Sequence, residues 1–268
     1  MTTKLLLLLA ALAMPMVALF TQLGWFGPDA GTLSDRYPTL LVAAGYAFAI
    51  WSVIFVLDLG FSVWQALRRR PALPEQKALR ILTIVGFGLT ASWMIVFSAQ
   101  LFWLALIIIW AALGCVLYGC LLMARAEDPR GHLWLGLLPL GLHAGWLSLA
   151  VFLNTAQVAV AYKLLPVGDM LPWSLILWAA AALLLFWANA KLHGHPAYGL
   201  GVLWGLVGVY VEQSRSRLAG ADVSAAVALG LAALVLAQTL FLLWRAHQQE
   251  LRRVSAGDRC VALSPRGP

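Results

Sequence analysis

Long apolar stretches separated by short polar segments occupy most of the chain. A helix needs about 20 predominantly apolar residues to cross the hydrocarbon core of a bilayer, and several stretches reach that length. The pattern predicts an all-α fold, a polytopic transmembrane helical bundle of about eight spans. The predicted spans cover residues 5–24, 43–67, 81–98, 101–124, 132–155, 173–190, 197–211 and 223–244.

Two of these spans have unusual sequences. The seventh, residues 197–211, is short and rich in glycine, and its Gly201 and Gly205 have the spacing that lets two helices approach closely. The first begins with Lys4 and a leucine run, as a secretory signal does, but its apolar run continues to about Phe20 without a convincing cleavage site. We therefore predict that the first span is a retained helix.

The composition indicates a surface that faces lipid. Only 11% of the residues are charged and 62% are hydrophobic, with a mean hydropathy of +0.86, whereas a soluble protein carries roughly 25% charged residues. The net charge of +7 is compatible with nucleic-acid binding, but the basic residues lie in short runs between apolar blocks instead of forming a stripe. We predict the lipid bilayer as a partner and no nucleic acid.

The placement of Lys and Arg predicts the orientation, because cytoplasmic segments of membrane proteins carry an excess of these residues. With the N-terminus in the cytoplasm and eight crossings, fourteen Lys and Arg residues fall inside and four outside. Both termini are then cytoplasmic, and a missing seventh span would require a neighbouring span to be missing too. Residues 251–268 are polar and contain Gly257 and Pro265, so we predict a disordered cytoplasmic tail.

Two ionisable residues fall deep within predicted spans, where a charge is costly and marks a candidate functional site. Asp58 lies ten residues before the basic cluster at residues 68–70, and His143 lies eleven residues into the fifth span from the same side. At a rise of about 1.5 Å per residue, both lie roughly 15 Å from the cytoplasmic boundary, so the two side chains could pair. The alternatives are a solvated Asp58 in a locally open helix end and a neutral His143 bonded to a neighbouring backbone.

Tryptophan is abundant, with 13 residues, and several of them lie deep inside predicted spans. A deep indole needs a partner for its N–H and offers a flat face to a ring-shaped ligand, although packing alone is the commoner role. His193 and His195 have a spacing that suggests a metal site, but they lack further ligands nearby, and Cys115, Cys120 and Cys260 show no metal-ligand spacing. We predict no metal site.

Two segments of the chain resemble one known family. The first contains Ser-Asp-Arg-Tyr at residues 34–37 and Gly-Tyr-Ala-Phe-Ala-Ile-Trp-Ser-Val-Ile-Phe at residues 45–55. The second contains Leu-Pro-Leu at residues 138–140, Gly-Trp-Leu-Ser-Leu-Ala at residues 145–150, and Leu-Asn at residues 153–154. These segments are similar to the tryptophan-rich sensory protein family, also called the translocator protein or peripheral benzodiazepine receptor family. The likeness is greatest to its longer bacterial branch.

The resemblance implies a five-helix translocator-protein-like core at residues 1–165, beyond which residues 166–250 form an additional three-helix membrane segment. It implies a location in the bacterial inner membrane and a cavity among the first loop and the second and fifth helices. Family members bind porphyrins, and some bind sterols or synthetic aromatic compounds. By position, the candidate ligand-binding residues are Trp51, Trp93, Trp146 and Asn154.

The chain departs from the family pattern near this expected pocket. Phe55 stands where the family usually has Tyr, and Trp93 is preceded by Thr90, Ala91 and Ser92 where the family has an Asn shortly before its Trp. These changes remove or move polar groups around the ligand. The identity of the ligand therefore cannot be transferred directly from the family.

Three function classes remain open at this point. The favoured hypothesis is a non-enzymatic sensor or translocator that binds a hydrophobic ring compound, above all a tetrapyrrole. The alternative is a proton- or ion-coupled small-molecule transporter that uses Asp58 and His143. A membrane enzyme is the third, although the loops offer few clustered charges. No covalent cofactor is implied, a tetrapyrrole would be a bound ligand, and a homodimer is one assembly that the sequence leaves open.

Overall fold

A computed structural model of the chain describes residues 2–67, 74–125 and 133–262. Within these ranges the chain forms nine α-helices and no strand, which confirms the predicted all-α bundle. The helices are α1 (Thr2–Gln22), α2 (Ala30–Arg36), α3 (Ile50–Leu67), α4 (Pro74–Ser98), α5 (Phe102–Ala124), α6 (Leu138–Ala161), α7 (Leu171–Lys191), α8 (Pro196–Gln213) and α9 (Ala221–Ala262). A 3-10 turn, Gly45–Ala49, leads into α3, and a π-helical turn, Leu133–Leu137, leads into α6.

Seven helical segments of the described chain are long and apolar enough to cross a membrane, so the protein is a polytopic membrane protein. They correspond to seven of the eight predicted spans. The exception is α8, which was predicted as the short seventh span and is absent from this set. Its four glycines and the polar Glu212 and Gln213 dilute its apolar character, which explains why composition alone does not identify it as a span.

Helix α8 nevertheless runs alongside the spanning helices for its full length. Its 18 residues correspond to about 27 Å of helix. At its start, Gly199 lies against Thr239 of α9, and at its end Gln213 and the first turn of α9 both bond to the loop at residues 39–42. These contacts place α8 antiparallel to α9.

The centre of the bundle is α6, of which nearly every residue is buried. It packs against α3, α5, α7 and α8, while α4 packs against α1 and α5. The peripheral helices expose large apolar side chains, among them Val56 at 72% and Leu183 at 74%. Such an outer surface is stable only in lipid, which accounts for the low charge of the sequence.

Glycine allows α6 and α8 to pack with their backbones almost in contact. A Cβ atom on Gly201 would lie 2.5 Å from the carbonyl oxygen of Leu142 and 2.9 Å from the backbone nitrogen of Trp146. Gly145 faces the backbone of Tyr198 in the same way. The close-approach spacing predicted at Gly201 thus serves a contact within the chain.

Two further expectations concern the C-terminal segment and the orientation of the chain. Residues 251–262, predicted to begin a disordered tail, continue α9 as helix to Ala262. The segment from Arg245 to Ala256 contains no Gly or Pro and is rich in residues with high helix propensity, so nothing in it ends the helix. Residues 68–70, Arg130, His132 and residues 263–268 lie outside the described ranges. The orientation of the termini stays a prediction.

Candidate functional site

A carboxylate–imidazole pair lies in the middle of the bundle. Nδ1 of His143 on α6 is 2.7 Å from Oδ2 of Asp58 on α3, and both side chains are fully buried. The structure therefore brings together the two ionisable residues for which a shared depth was predicted. An isolated charge in such a place would be very unfavourable, whereas a hydrogen-bonded pair of opposite charges is tolerated.

Thr90 on α4 contacts the second ring nitrogen of His143. The Thr90 hydroxyl donates to the carbonyl oxygen of Gly86 at 2.9 Å, so its oxygen is left to accept a hydrogen bond. Nε2 of His143 lies 3.3 Å from this oxygen, so a hydrogen on Nε2 can complete a hydrogen bond between them. Nδ1 then faces Asp58 with one shared proton between them, because two lone pairs would repel at 2.7 Å.

An aromatic cluster covers the pair on its other side. Trp51 packs edge-on against His143, with ring centroids 5.6 Å apart. Trp51 also lies 6.2 Å from Trp93 and 6.1 Å from Trp146 between centroids, so the three tryptophans of the predicted pocket form one cluster. Phe87 stacks on the imidazole ring of His143, with ring centroids 5.8 Å apart.

The larger cavity of the region lies between α1, the first loop, α3 and α4. Its volume is about 270 Å³. Aromatic rings of Trp51, Phe55, Trp93 and Phe97 form much of its wall, and Thr21, Gln22, Ser52 and Ser98 supply polar groups. The Ser98 hydroxyl is buried and has no hydrogen-bond partner among the described residues.

A second, much smaller cavity lies beside the fifth predicted span, and no residue of α3 is among the described residues that line it. It is bounded by the first loop, α4 and α6, and its lining includes Trp93, Trp146, Asn154 and Gln157. Its volume is only about 20 Å³, enough for a single water molecule. The expected residues thus divide between two cavities: Trp51 lines the larger, Trp146 and Asn154 line the smaller, and Trp93 separates them.

Asn154 connects α4, α6 and the first loop through hydrogen bonds. Nε1–H of Trp93 donates to Oδ1 of Asn154 at 3.1 Å. Nδ2 of Asn154 lies 3.5 Å from Oε1 of Gln157, and Nε2 of Gln157 donates to Oγ of Ser34 at 3.1 Å. This chain satisfies the buried indole N–H of Trp93 and holds the first loop against α6.

Sequence reasoning missed Thr90 and Ser34 as members of these networks. Thr90 resembles other threonines of membrane helices, which bond to a carbonyl one turn earlier, so only its position opposite His143 reveals the second contact. Ser34 lies 123 residues from its partner Gln157. The spacing of Asn154 and Gln157, one helical turn apart, was the available signal for that network.

The fold and this site define a class: a polytopic helical membrane protein with an aromatic-lined cavity beside a buried carboxylate–imidazole pair. The family model for TSPO-like protein matches residues 4–242. The chain therefore belongs to the TSPO-like protein family. The match continues past residue 165 through α7 and α8 and into α9, so it includes the C-terminal helices. No curated protein and no solved structure matches the chain.

Proposed function

We propose that this TSPO-like membrane protein acts as a sensor or translocator that binds a hydrophobic ring compound in the cavity beside Trp51 and Trp93. The observation that supports this most directly is the lining of that cavity. Five aromatic rings, those of Phe48, Trp51, Phe55, Trp93 and Phe97, offer flat faces for stacking, and the unpartnered Ser98 hydroxyl can donate to a polar edge of the ligand. Apolar walls with a few placed polar groups are typical of small-molecule sites.

Size limits which ring compounds fit without movement. Ligand pockets have volumes of roughly 300–1,000 Å³, and this cavity, at about 270 Å³, lies just below that range. A compound of one or two fused rings fits as the cavity stands. A tetrapyrrole, the ligand favoured from the family resemblance, requires the cavity to enlarge, and the first loop is the wall that can move because it carries no spanning helix.

Phe55 gives this cavity its own selectivity. It stacks on Trp51, with centroids 5.5 Å apart and planes at 20°, and lines the cavity where the family usually has Tyr. Phenylalanine offers no hydroxyl, so the ligand meets an apolar wall at that point. We therefore expect Phe55→Tyr to change the order of preference among ring compounds.

Binding can be measured by the absorbance of added protoporphyrin and of a two-ring aromatic compound, with the full chain in detergent micelles. Trp51→Leu should weaken saturable binding by roughly threefold to tenfold, the value of one lost aromatic contact. Trp187→Leu is the matched control, because Trp187 is 48% exposed on the outer face of α7. Competition with unlabelled compound separates binding from partitioning into detergent.

The outcomes distinguish the alternatives. If only the two-ring compound binds in a Trp51-dependent way, the cavity acts at its present size. If protoporphyrin does so as well, the first loop moves. Equal binding by wild type, Trp51→Leu and Trp187→Leu would refute the proposed cavity.

A further inference from the structure

The site formed by Asp58 and His143 has one hydrogen-bond acceptor without a donor among the described residues. The geometry of the pair is fixed by the 2.7 Å contact and by Thr90, which engages the other ring nitrogen. The second carboxylate oxygen, Oδ1 of Asp58, is buried and has no hydrogen-bond partner within the described chain. An acceptor of this kind normally finds a donor, so Oδ1 is the atom through which a water molecule or hydroxyl can reach the pair.

Two buried polar stripes lead from the pair toward one end of the bundle. On α3, Ser62 and Gln65 follow Asp58 at intervals of one helical turn, and both are buried. On α4, Thr83 and Arg80 precede Thr90 on the inward face and are also buried. Side chains three or four residues apart lie on one face of a helix, so the stripe on α3 is continuous, whereas on α4 Phe87 occupies the turn between Thr83 and Thr90.

Hydrogen bonds connect the two stripes at both ends, and we call the polar side chains between these connections the seam. His143 bridges Asp58 and Thr90 at the deep end. Nε of Arg80 donates to Oε1 of Gln65 at 3.4 Å at the other end, near the last turn of α3. The hydroxyls between them belong to Ser62, which donates to the carbonyl oxygen of Asp58 at 2.8 Å, and Thr83, which donates to that of Leu79 at 2.9 Å.

The opposite direction is apolar. Trp51 covers His143 edge-on, and Ile54 and Phe55 continue α3 away from the seam as buried apolar side chains. A proton needs oxygen or nitrogen atoms to move along, and the seam toward Gln65 provides them. The aromatic wall toward the cavity does not.

We propose that Asp58 and His143 bind one exchangeable proton, which enters and leaves through the seam of Ser62, Gln65, Thr83 and Arg80. In the loaded state the pair shares the proton and is neutral overall. In the unloaded state one proton has passed to water at the end of α3, leaving the Asp58 carboxylate accepting from Nδ1–H of a neutral His143, whose Nε2 then accepts from the Thr90 hydroxyl. Under the predicted orientation, this end of α3 is cytoplasmic.

Other titratable groups on the surrounding helices must be distinguished from the pair. Lys4 of α1 donates to the carbonyl oxygen of Ala66 at 2.8 Å, at the same end as Arg80. Cys115 and Cys120 lie on α5, and Tyr198 lies on α8. Thiol and phenol groups ordinarily ionise above pH 8. Their spectroscopic signals are also separate from those of carboxylate and imidazole groups.

Infrared spectroscopy and nitrogen NMR of the full chain in lipid nanodiscs test the site directly, without any ring compound. Between about pH 4 and pH 9, one buried carboxyl band and the ring-nitrogen signals of His143 should change together. Asp58→Asn should remove the band, and Asp169→Asn should not, because Asp169 lies in an exposed loop. Bands and signals that stay constant across this range would overturn the proposal.

The route is tested by the rate at which the pair exchanges its proton for deuterium after transfer into heavy water. Thr83→Val and Gln65→Leu should slow this exchange severalfold while leaving the pair intact. Thr155→Val is the matched control. Thr155 also donates to a carbonyl one turn earlier, but it lies in the C-terminal half of α6, away from the seam. Equal rates in Thr83→Val, Gln65→Leu and Thr155→Val would refute the seam as the route. Because no ligand is added, failure of ring-compound binding would leave these results unaffected.

Discussion

Trp51 touches His143 with the edge of its indole, at 5.6 Å between ring centroids and 87° between planes, and also lines the larger cavity. One side chain is therefore shared by the buried pair and the cavity wall. A change in the position of His143 therefore also acts on Trp51. The cavity and the pair can be perturbed separately only by substitutions that leave this contact in place.

The first prediction concerns the energy of the pair itself. Asp58→Asn and His143→Gln should each destabilise the protein, because each leaves a buried polar partner without its match. The double variant should lose less than the sum, with a coupling of about 0.5–3 kcal/mol, as for residues in one hydrogen-bonded network. Unfolding of the three variants in detergent measures the cycle. Additive losses would show that the 2.7 Å contact contributes no coupling.

The second prediction tests the close packing of α6 and α8. Gly201→Ala should destabilise the protein by about 1–3 kcal/mol, because the new methyl group overlaps backbone atoms of α6 that cannot move aside. Gly230→Ala on α9 is the control, since nothing lies within 4 Å of its Cβ position. That substitution should be neutral or slightly stabilising. If both variants unfold alike, the close contact between the two backbones is wrong.

The helices were predictable because a span has to be long and apolar, whatever it packs against. Helix α8 shows where this signal weakens. Tyr198, Val202 and Leu206 are fully buried by neighbouring helices, and glycines replace larger apolar residues to permit close contact. Its hydropathy therefore reflects packing within the protein and not exposure to lipid.

The two parts of the site differed in how far the sequence determined them. The depth of Asp58 and His143 follows from counting residues, so their proximity was accessible from sequence. The larger cavity was not, because it depends on how α1 and the first loop pack against α4. Ala18 and Met94, which both line it, are ordinary apolar residues of their spans. No periodicity or motif marks them.

The third prediction concerns the loop beside the cavities, which the C-terminal helices hold in place. Nε2 of Gln213 donates to the carbonyl oxygens of Thr39 and Val42 at 3.0 and 3.2 Å. Nε1–H of Trp204 donates to that of Ala47 at 2.8 Å. Through these bonds α8 supports the loop at residues 39–47.

Gln213→Leu should release this loop, because the carbonyl oxygen of Val42 loses its donor at a cost of roughly 1–3 kcal/mol and that of Thr39 keeps only the longer bond from the Val42 N–H. Hydrogen exchange should then accelerate at residues 39–47 while remaining slow within α6. Gln249→Leu, at an exposed position on α9, should leave the exchange unchanged. Protection of residues 39–47 that is identical in wild type and Gln213→Leu would contradict this role of α8.

The last prediction is a pH dependence that begins at the loop between α7 and α8. His195 is partly buried at the start of α8, its Nδ1 has no hydrogen-bond partner among the described residues, and burial lowers its pKa below the usual value of 6.5. The unfolded chain therefore binds a proton more readily than the folded chain. The contribution of the neutral His195 ring to the free energy of unfolding is fully present above about pH 6.5. It is lost as the pH falls toward the lowered pKa of His195 in the folded state.

The matched pair His195→Gln and His193→Gln isolates this effect, since His193 lies two residues away and is exposed. Thermal unfolding midpoints measured between about pH 8 and pH 5 should fall in wild type and in His193→Gln. They should fall less in His195→Gln, because glutamine carries no charge at either pH. An undiminished decline in His195→Gln would assign the acid sensitivity to another group and show that protonation of His195 does not oppose the packing of α8 against α6.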